Sequence, residues 1–173
     1  MRETEEDLKL GLEFEKWLVD RLPYGYHKNP QRYAIDLISA GMPSIEVKRE
    51  CCPRAPRTVD QRLVNLTVQL FTKKRHGALE RNGPWKAVSQ DKSALYIVGE
   101  GTSSSFRIVF AGLALELAAA CESYMPGGCS HVPENLLIDK YSQKIVALVP
   151  LDNLHHVNRG MDWVYSYLDG RNF

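Results

Sequence analysis

The spacing of apolar positions changes several times along the chain, and each change marks an element. In residues 3–22, ETEEDLKLGLEFEKWLVDRL, positions Leu8, Leu12, Trp17, Leu18 and Leu22 recur at helical spacing, with Phe14 and Val19 beside them. Acids crowd its start, where the positive end of a helix favours them, so the pattern predicts an amphipathic helix. PYGYHKNPQR (23–32), rich in Pro, Gly and Asn, reads as a loop. YAIDLIS (33–39) reads as a strand, AGMPS (40–44) as a turn, and IEVKRE (45–50) as a second strand antiparallel to the first. CCPRAPRTVDQR (51–62) reads as a loop, and the alternating, β-branched LVNLTVQLFT (63–72) as a third strand. The polar stretch 73–92 carries an RNGP turn and has room for a short helical piece before SALYIVGEG (93–101), a fourth strand. SSFRIVFAG (104–112) is strand-like and leads into a helix, LALELAAACESY (113–124). MPGGCSHVPEN (125–135) reads as loop, KIVALVPLDNL (144–154) as a strand entering a turn, and DWVYSYLDG (162–170) as a short aromatic-rich element.

A helix, several strands and then mixed elements predict an α/β (α+β) fold, a central mixed β-sheet flanked by helices. No repeat, low-complexity tract or linker divides the 173 residues, which predicts a single domain over 1–173. No apolar run approaches the ~18 residues of a membrane span; AGLALELAAA is interrupted by Glu116. The acidic MRETEEDLKL is unlike a secretion signal, so the expected location is cytoplasmic, or the host cytoplasm for a viral protein. Cys51, Cys52, Cys121 and Cys129 lack metal-finger spacing and are expected to be thiols in a reducing cytosol. A cluster of Cys121, Cys129 and His131 around zinc or iron–sulfur is the rival reading. There is no Gly-rich phosphate loop, G-x-S-x-G elbow or H-E-x-x-H, which removes support for nucleotide hydrolysis, serine hydrolysis and zinc proteolysis.

The formal net charge is +1, yet it is unevenly spread. Between Lys48 and Lys86 ten Lys or Arg face three acids, a net of +7; the other twelve bases and eighteen acids net −6. Such a basic centre fits a polyanion footprint, and a solvated loop face would give the same count.

The chemistry concentrates in residues 34–50, AIDLISAGMPSIEVKRE. Side chains two apart on a strand share a face, so Glu46 and Lys48 point together, opposite Ile45 and Val47. Nine residues separate Asp36 from Glu46, enough for a strand–turn–strand connection that brings the two carboxylates together. Adjacent carboxylates repel, and one takes up a proton unless a cation intervenes. Mg²⁺, a hard ion held by one or two carboxylates plus waters and phosphate oxygens, is the natural occupant, with Mn²⁺ able to substitute. Lys48 could orient or activate a water, or offset charge on phosphorus. A plain Glu46–Lys48 surface pair would need none of this, but charges are unusual on such apolar strands.

IDLISAGMPSIEVKRE resembles the PD-(D/E)xK nuclease superfamily, which includes many restriction endonucleases, Holliday-junction resolvases and phage nucleases. The match lies in Asp36 followed by Glu46 and Lys48 in IEVK, and covers about residues 8–98. Ile35 stands where the family's usual Pro precedes the Asp. The resemblance implies a restriction-endonuclease-like core: a helix, a strand hairpin, a third strand, a helix and a fourth strand. It implies metal-dependent DNA endonuclease activity on phosphodiester bonds, with structure-specific cutting of junction or branched DNA in recombination, repair or phage DNA processing as the finer expectation, and with Asp36 and Glu46 holding Mg²⁺ and Lys48 serving catalysis. GLEFEKWL fits the family's G-x-x-x-E-x-x-L helix pattern through Gly11, Glu15 and Leu18, making Glu15 a candidate further metal or water ligand. Glu13, about 200° round the helix, is its competitor. The exonuclease branch with Q-x-x-x-Y after the lysine is not matched. DNA contacts are expected from Arg49, Arg54, Arg57, Gln69, Lys73, Lys74, Arg75 and Lys86. Trp85 either packs under a strand or stacks a base, and His155-His156 reads as a surface turn before a metal clasp. One active site cuts one strand, so duplex cleavage would call for a homodimer. The alternative is a catalytically inactive nucleic-acid-binding module that retains the nuclease fold.

Overall fold

In a computed structural model the described residues are 5–50, 64–74, 78–124, 136–139 and 144–170. The described residues form a mixed α/β fold with four α-helices and two sheets. The first helix, α1 (Glu5–Val19), opens on Glu5, Glu6 and Asp7 and buries Phe14 and Leu18. Leu8 and Leu12, read from spacing as part of its core face, are instead 53% and 54% exposed.

Next come β1 (His27–Lys28), β2 (Leu37–Ile38) and β3 (Ile45–Arg49), an antiparallel series. The strand expected over 33–39 is therefore only two residues long, and the loop expected over 23–32 contains its partner β1. The β2–β3 turn closes through Met42 N–H donating to the Ser39 carbonyl at 3.1 Å. Gly41 sits inside it at φ 72°, a conformation that favours glycine. After β4 (Asn65–Lys73), β5 (Leu79–Arg81) and α2 (Pro84–Gln90), the chain returns as β6 (Leu95–Glu100), parallel to β3, with β7 (Arg107–Leu113) antiparallel beyond it. The first sheet thus runs β1-β2-β3-β6-β7. The helix α3 (Ala114–Cys121), strands β8 (Leu136–Asp139) and β9 (Lys144–Pro150), and α4 (Met161–Gly170) complete the chain.

The single central sheet expected from the sequence is corrected here. The 63–72 strand becomes β4 and pairs with β5 and β9 in a second sheet, β5-β4-β9-β8. Local alternation identifies a strand but not its partner. Two apolar clusters hold the layers. Phe14 and Leu18 of α1 and Val164 and Leu168 of α4 pack on Ile45, Val47, Leu95 and Ile97, covering one face of the first sheet. Tyr96, Val98 and Phe110 on the opposite face meet Leu66, Val68, Leu70, Ala147 and Val149 of the second sheet and Leu117 and Cys121 of α3. Cys121 is buried in this cluster, and burial pushes its thiol up to about 12; Cys51, Cys52, Cys129 and His131, and with the last two the rival metal cluster, lie outside the described residues. Trp85 packs partly buried against this cluster and donates to Glu122 Oε2 at 3.1 Å, the packing role of the two proposed.

A close approach sets the seat of α1. A Cβ on Gly99 of β6 would lie 2.1 Å from Phe14 Cζ. We expect Gly99→Ala to push α1 off the sheet and cost about 1–3 kcal/mol, the range for overpacked cores. Urea unfolding measures this; an unchanged midpoint would contradict the packing described. No helix among the described residues is long and apolar enough to cross a membrane.

Candidate active site

Pairing of β2 with β3 brings the predicted acids together. Leu37 is the register partner of Ile45, so Asp36 and Glu46 face each other one step along. Asp36 Oδ2 accepts the Val47 N–H at 2.8 Å and lies 3.6 Å from Lys48 Nζ. Lys48 Nζ also donates to Glu46 Oε1. One ammonium therefore bridges two carboxylates, Asp36 just before β2 and Glu46 on β3, while Ile45 and Val47 are buried on the opposite face as alternation requires. The frame is braced by the end of α2. Gln90 Oε1 accepts the Ile35 N–H at 2.7 Å, and Asp91 Oδ2 accepts the Ser44 N–H at 2.8 Å.

Burial decides the electrostatics. The side chain of Glu46 is 13% exposed. Its carboxyl is pushed above the usual carboxylate range by burial, against Lys48 and with Asp36 adding to the rise; Lys86 on α2 also favours its charge. For Lys48 burial opposes the charge, but Glu46 and Asp36 outweigh it and hold the ammonium above the ordinary lysine value. Glu15 is pushed up by burial and then by Asp36, eased by Lys28, whose Nζ is 3.2 Å from Glu15 Oε2. Glu15 lines a cleft of about 380 Å³ with Asp36 and Lys48. Glu13 is not in that lining and pairs with Lys9 at 3.9 Å, so the helix presents Glu15 and not its competitor.

The donor set suits a divalent cation. Asp36 Oδ1 and Glu46 Oε2 have no hydrogen bond among the described residues, and two such oxygens in a poorly solvated place match what Mg²⁺ takes from proteins. No group of three or more His, Cys, Asp or Glu able to hold a metal occurs among the described residues, so Glu15 does not complete a three-ligand set.

The expected DNA contacts divide. Lys86 stands near Glu46, half-buried. Arg49 is 12% exposed; its Nε donates to the Gly101 carbonyl at 3.0 Å and its Nη1 is 3.7 Å from Asp7 Oδ1. Lys73 and Lys74 are exposed at the β4–β5 hairpin of the second sheet, Lys74 paired with Glu80 at 3.0 Å. Gln69 donates to Thr72 Oγ1 at 2.9 Å and does not line the cleft. Arg54, Arg57 and Arg75 lie outside the described residues. His155 and His156 stack edge to face on the surface, and His155 Nδ1 lies 2.7 Å from the Asp152 carbonyl, which fits a surface turn.

Tyr96 escaped the sequence reading. It is buried, is the register partner of Glu46, and has its hydroxyl pushed up by burial. Lys28 escaped too. Neither left a signal, since parallel pairing across a long connection and a two-residue strand have no local pattern.

Compared with known protein families, with curated proteins and with solved structures, the chain finds no match.

Proposed function

We propose that the protein is a Mg²⁺-dependent deoxyribonuclease that hydrolyses phosphodiester bonds, acting on DNA in recombination, repair or phage DNA processing. The observation that carries this reading is the convergence of Asp36, Glu46 and Lys48, with Lys48 Nζ reaching both carboxylates. The element order adds support. A helix, the series β1-β2-β3, the helix α2 and the parallel strand β6 follow the succession that the family resemblance implies, though β4 and β5 intervene.

Asp36 and Glu46 would hold the cation, which when bound supplies Lewis-acid polarisation of the phosphodiester and stabilises the departing oxygen. Val47 N–H fixes the Asp36 carboxylate in place. Lys48, held protonated by its two acids, donates a hydrogen bond to the attacking water or a phosphate oxygen and offsets negative charge as it develops. A protonated amine cannot accept the water's proton, so of the two roles read from the sequence the orienting one fits. Glu15, which lines the cleft with Asp36 and Lys48, would order a water there. DNA would be drawn by Lys86 and the basic middle of the chain, with affinity falling steeply as salt rises. A homodimer would supply the second site that duplex cutting needs.

The test is incubation of the purified protein with plasmid, single-stranded and four-way-junction DNA, with Mg²⁺ or with EDTA. Cleavage should occur with Mg²⁺ or Mn²⁺ and stop with EDTA. Salt-sensitive binding without any cleavage would instead favour the inactive binding module, a reading to which the Lys48 bridge between the two acids lends support.

A further inference from the structure

The two acids of the site stand on a very short hairpin. β2 is two residues long and meets β3 at Leu37 and Ile45. Asp36 lies just before β2 and Ser44 just before β3, so the chain beside each acid runs outside the strands. A ligand pair on such a hairpin needs other anchors.

Two consecutive side chains at the end of α2 supply them. Gln90 Oε1 accepts the Ile35 N–H at 2.7 Å, one residue before Asp36, and Gln90 Nε2 donates to the Tyr33 carbonyl at 3.5 Å. Tyr33, at φ 62°, is where the chain bends, and the Gln90 amide holds both sides of that bend. Asp91 Oδ2 accepts the Ser44 N–H at 2.8 Å, two residues before Glu46, and its Oδ1 accepts the Ser93 N–H at 2.9 Å. The Ser44 carbonyl in turn accepts the Leu95 N–H at 2.9 Å, which ties the same residue to β6.

A brace holds position only if it is itself fixed, and the start of α2 is fixed too. Asn82 N–H donates to the Leu70 carbonyl of β4 at 2.9 Å, and a Cβ on Gly83 would lie 2.3 Å from the Gln69 carbonyl oxygen. Pro84 and Ala87 are buried. Lys86, one turn before Gln90 and therefore on the same face, favours the charge of Glu46. That face of α2 is turned to the site.

We propose that Gln90 and Asp91 are positioning residues: gripping the two arms of the hairpin from one helix end, they set the spacing of the Asp36 and Glu46 carboxylates. Both act through the backbone rather than by touching the cation. Mg²⁺ demands near-ideal octahedral geometry, so a small shift of either oxygen weakens its hold. The proposal rests on the cation site of the nuclease reading and adds the residues that tune it.

The test measures Mn²⁺ affinity by water-proton relaxation, beside Tm and DNA cleavage. Gln90 is exposed, so Gln90→Leu removes the acceptor without opening the core or changing net charge. Asp91→Asn and Asp91→Ala remove the same charge, but Asn keeps an acceptor oxygen for the Ser44 N–H. Asn158→Ala is the control. It removes two bonds to β7, at the opposite edge of the first sheet: Asn158 Nδ2 to the Val109 carbonyl and the Ala111 N–H to Asn158 Oδ1. Gln90→Leu should weaken Mn²⁺ binding about fivefold, the worth of one hydrogen bond, and Asp91→Ala should bind about fivefold more weakly than Asp91→Asn. The Mg²⁺ midpoint of cleavage should rise in step, with KM for DNA unchanged. Asn158→Ala should lower Tm and bind Mn²⁺ like the parent. Unchanged affinity in Gln90→Leu, or equal affinities in the two Asp91 variants, overturns the role of that residue while the nuclease reading stands. If Asp91→Ala does not fold, Gln90→Leu decides alone. An equal weakening in Asn158→Ala also overturns the proposal, since the effect would then be one of overall stability. A parent that binds Mn²⁺ but cuts no DNA ends the nuclease reading, and the affinity series still decides the positioning. A parent that binds no Mn²⁺ overturns both.

Discussion

Lys48→Ala is expected to lower kcat for Mg²⁺-dependent cleavage by about 10²–10³, the usual cost of removing one preorganised donor from developing charge, while leaving DNA affinity nearly unchanged. Binding should survive because this ammonium is already engaged by Glu46 and Asp36 and adds little net positive potential for phosphate. Nitrocellulose-filter binding beside single-turnover cleavage separates the two quantities, and a parallel loss of both would reassign Lys48 from chemistry to DNA binding. The same substitution has a consequence for stability. It removes the cation shared by two carboxylates, one of them largely buried, which should cost about 1–3 kcal/mol. That is below the 3–5 kcal/mol of a fully buried pair, because 38% of the Lys48 side chain is exposed. Mg²⁺ should then raise the Tm of the variant more than that of the parent, since a bound cation relieves repulsion the lysine no longer offsets. An equal rise in both would weaken the assignment of Asp36 and Glu46 as the cation's ligands.

What could be read from the residues alone follows the range of the forces involved. β3 was legible because IEVK alternates charged and apolar side chains, and the alternation survives in its burial. Its antiparallel partner was legible in direction, since a Gly-containing turn joins the two, but not in length: Tyr33, at the start of the expected strand, has φ 62° and cannot extend it. β1 was hidden because two exposed polar residues, His27 and Lys28, carry no apolar period. The second sheet was hidden for another reason. β4 was recognised as a strand, yet its main partner β9 lies more than seventy positions later in the chain, and edge-to-edge pairing over that distance leaves no local trace. The same holds for β6 beside β3, which is how Tyr96 comes to oppose Glu46. On α1 the spacing of Leu8 and Leu12 was read correctly as one face of a helix. Spacing cannot distinguish a face turned to the core from a face turned to a cleft, and Leu8 and Leu12 line a cleft.

Asp36→Asn separates charge from shape at the same site. The amide oxygen of Asn can still accept the Val47 N–H that Asp36 Oδ2 accepts at 2.8 Å, so β2 and β3 should remain joined and Tm should change little. Removing one of two neighbouring anions also lifts a cause of the raised Glu46 and Glu15 carboxyl pKa values, and both should move back toward the ordinary range. The neutral amide is a far poorer partner for a hard cation than a carboxylate. Cleavage at saturating DNA should therefore fall by about 10² or more, a loss of roughly 2.7 kcal/mol in transition-state stabilisation, and the Mg²⁺ concentration at half-maximal rate should rise. Titrating Mg²⁺ against the cleavage rate of parent and variant distinguishes the outcomes. A lower rate with an unchanged Mg²⁺ midpoint would make Asp36 a positioning residue that acts through Val47 and Lys48 rather than a ligand. A variant that cuts as fast as its parent at every Mg²⁺ concentration would put the chemistry elsewhere in the molecule, because no other acid both faces Glu46 across the β2–β3 pair and contacts Lys48 among the described residues.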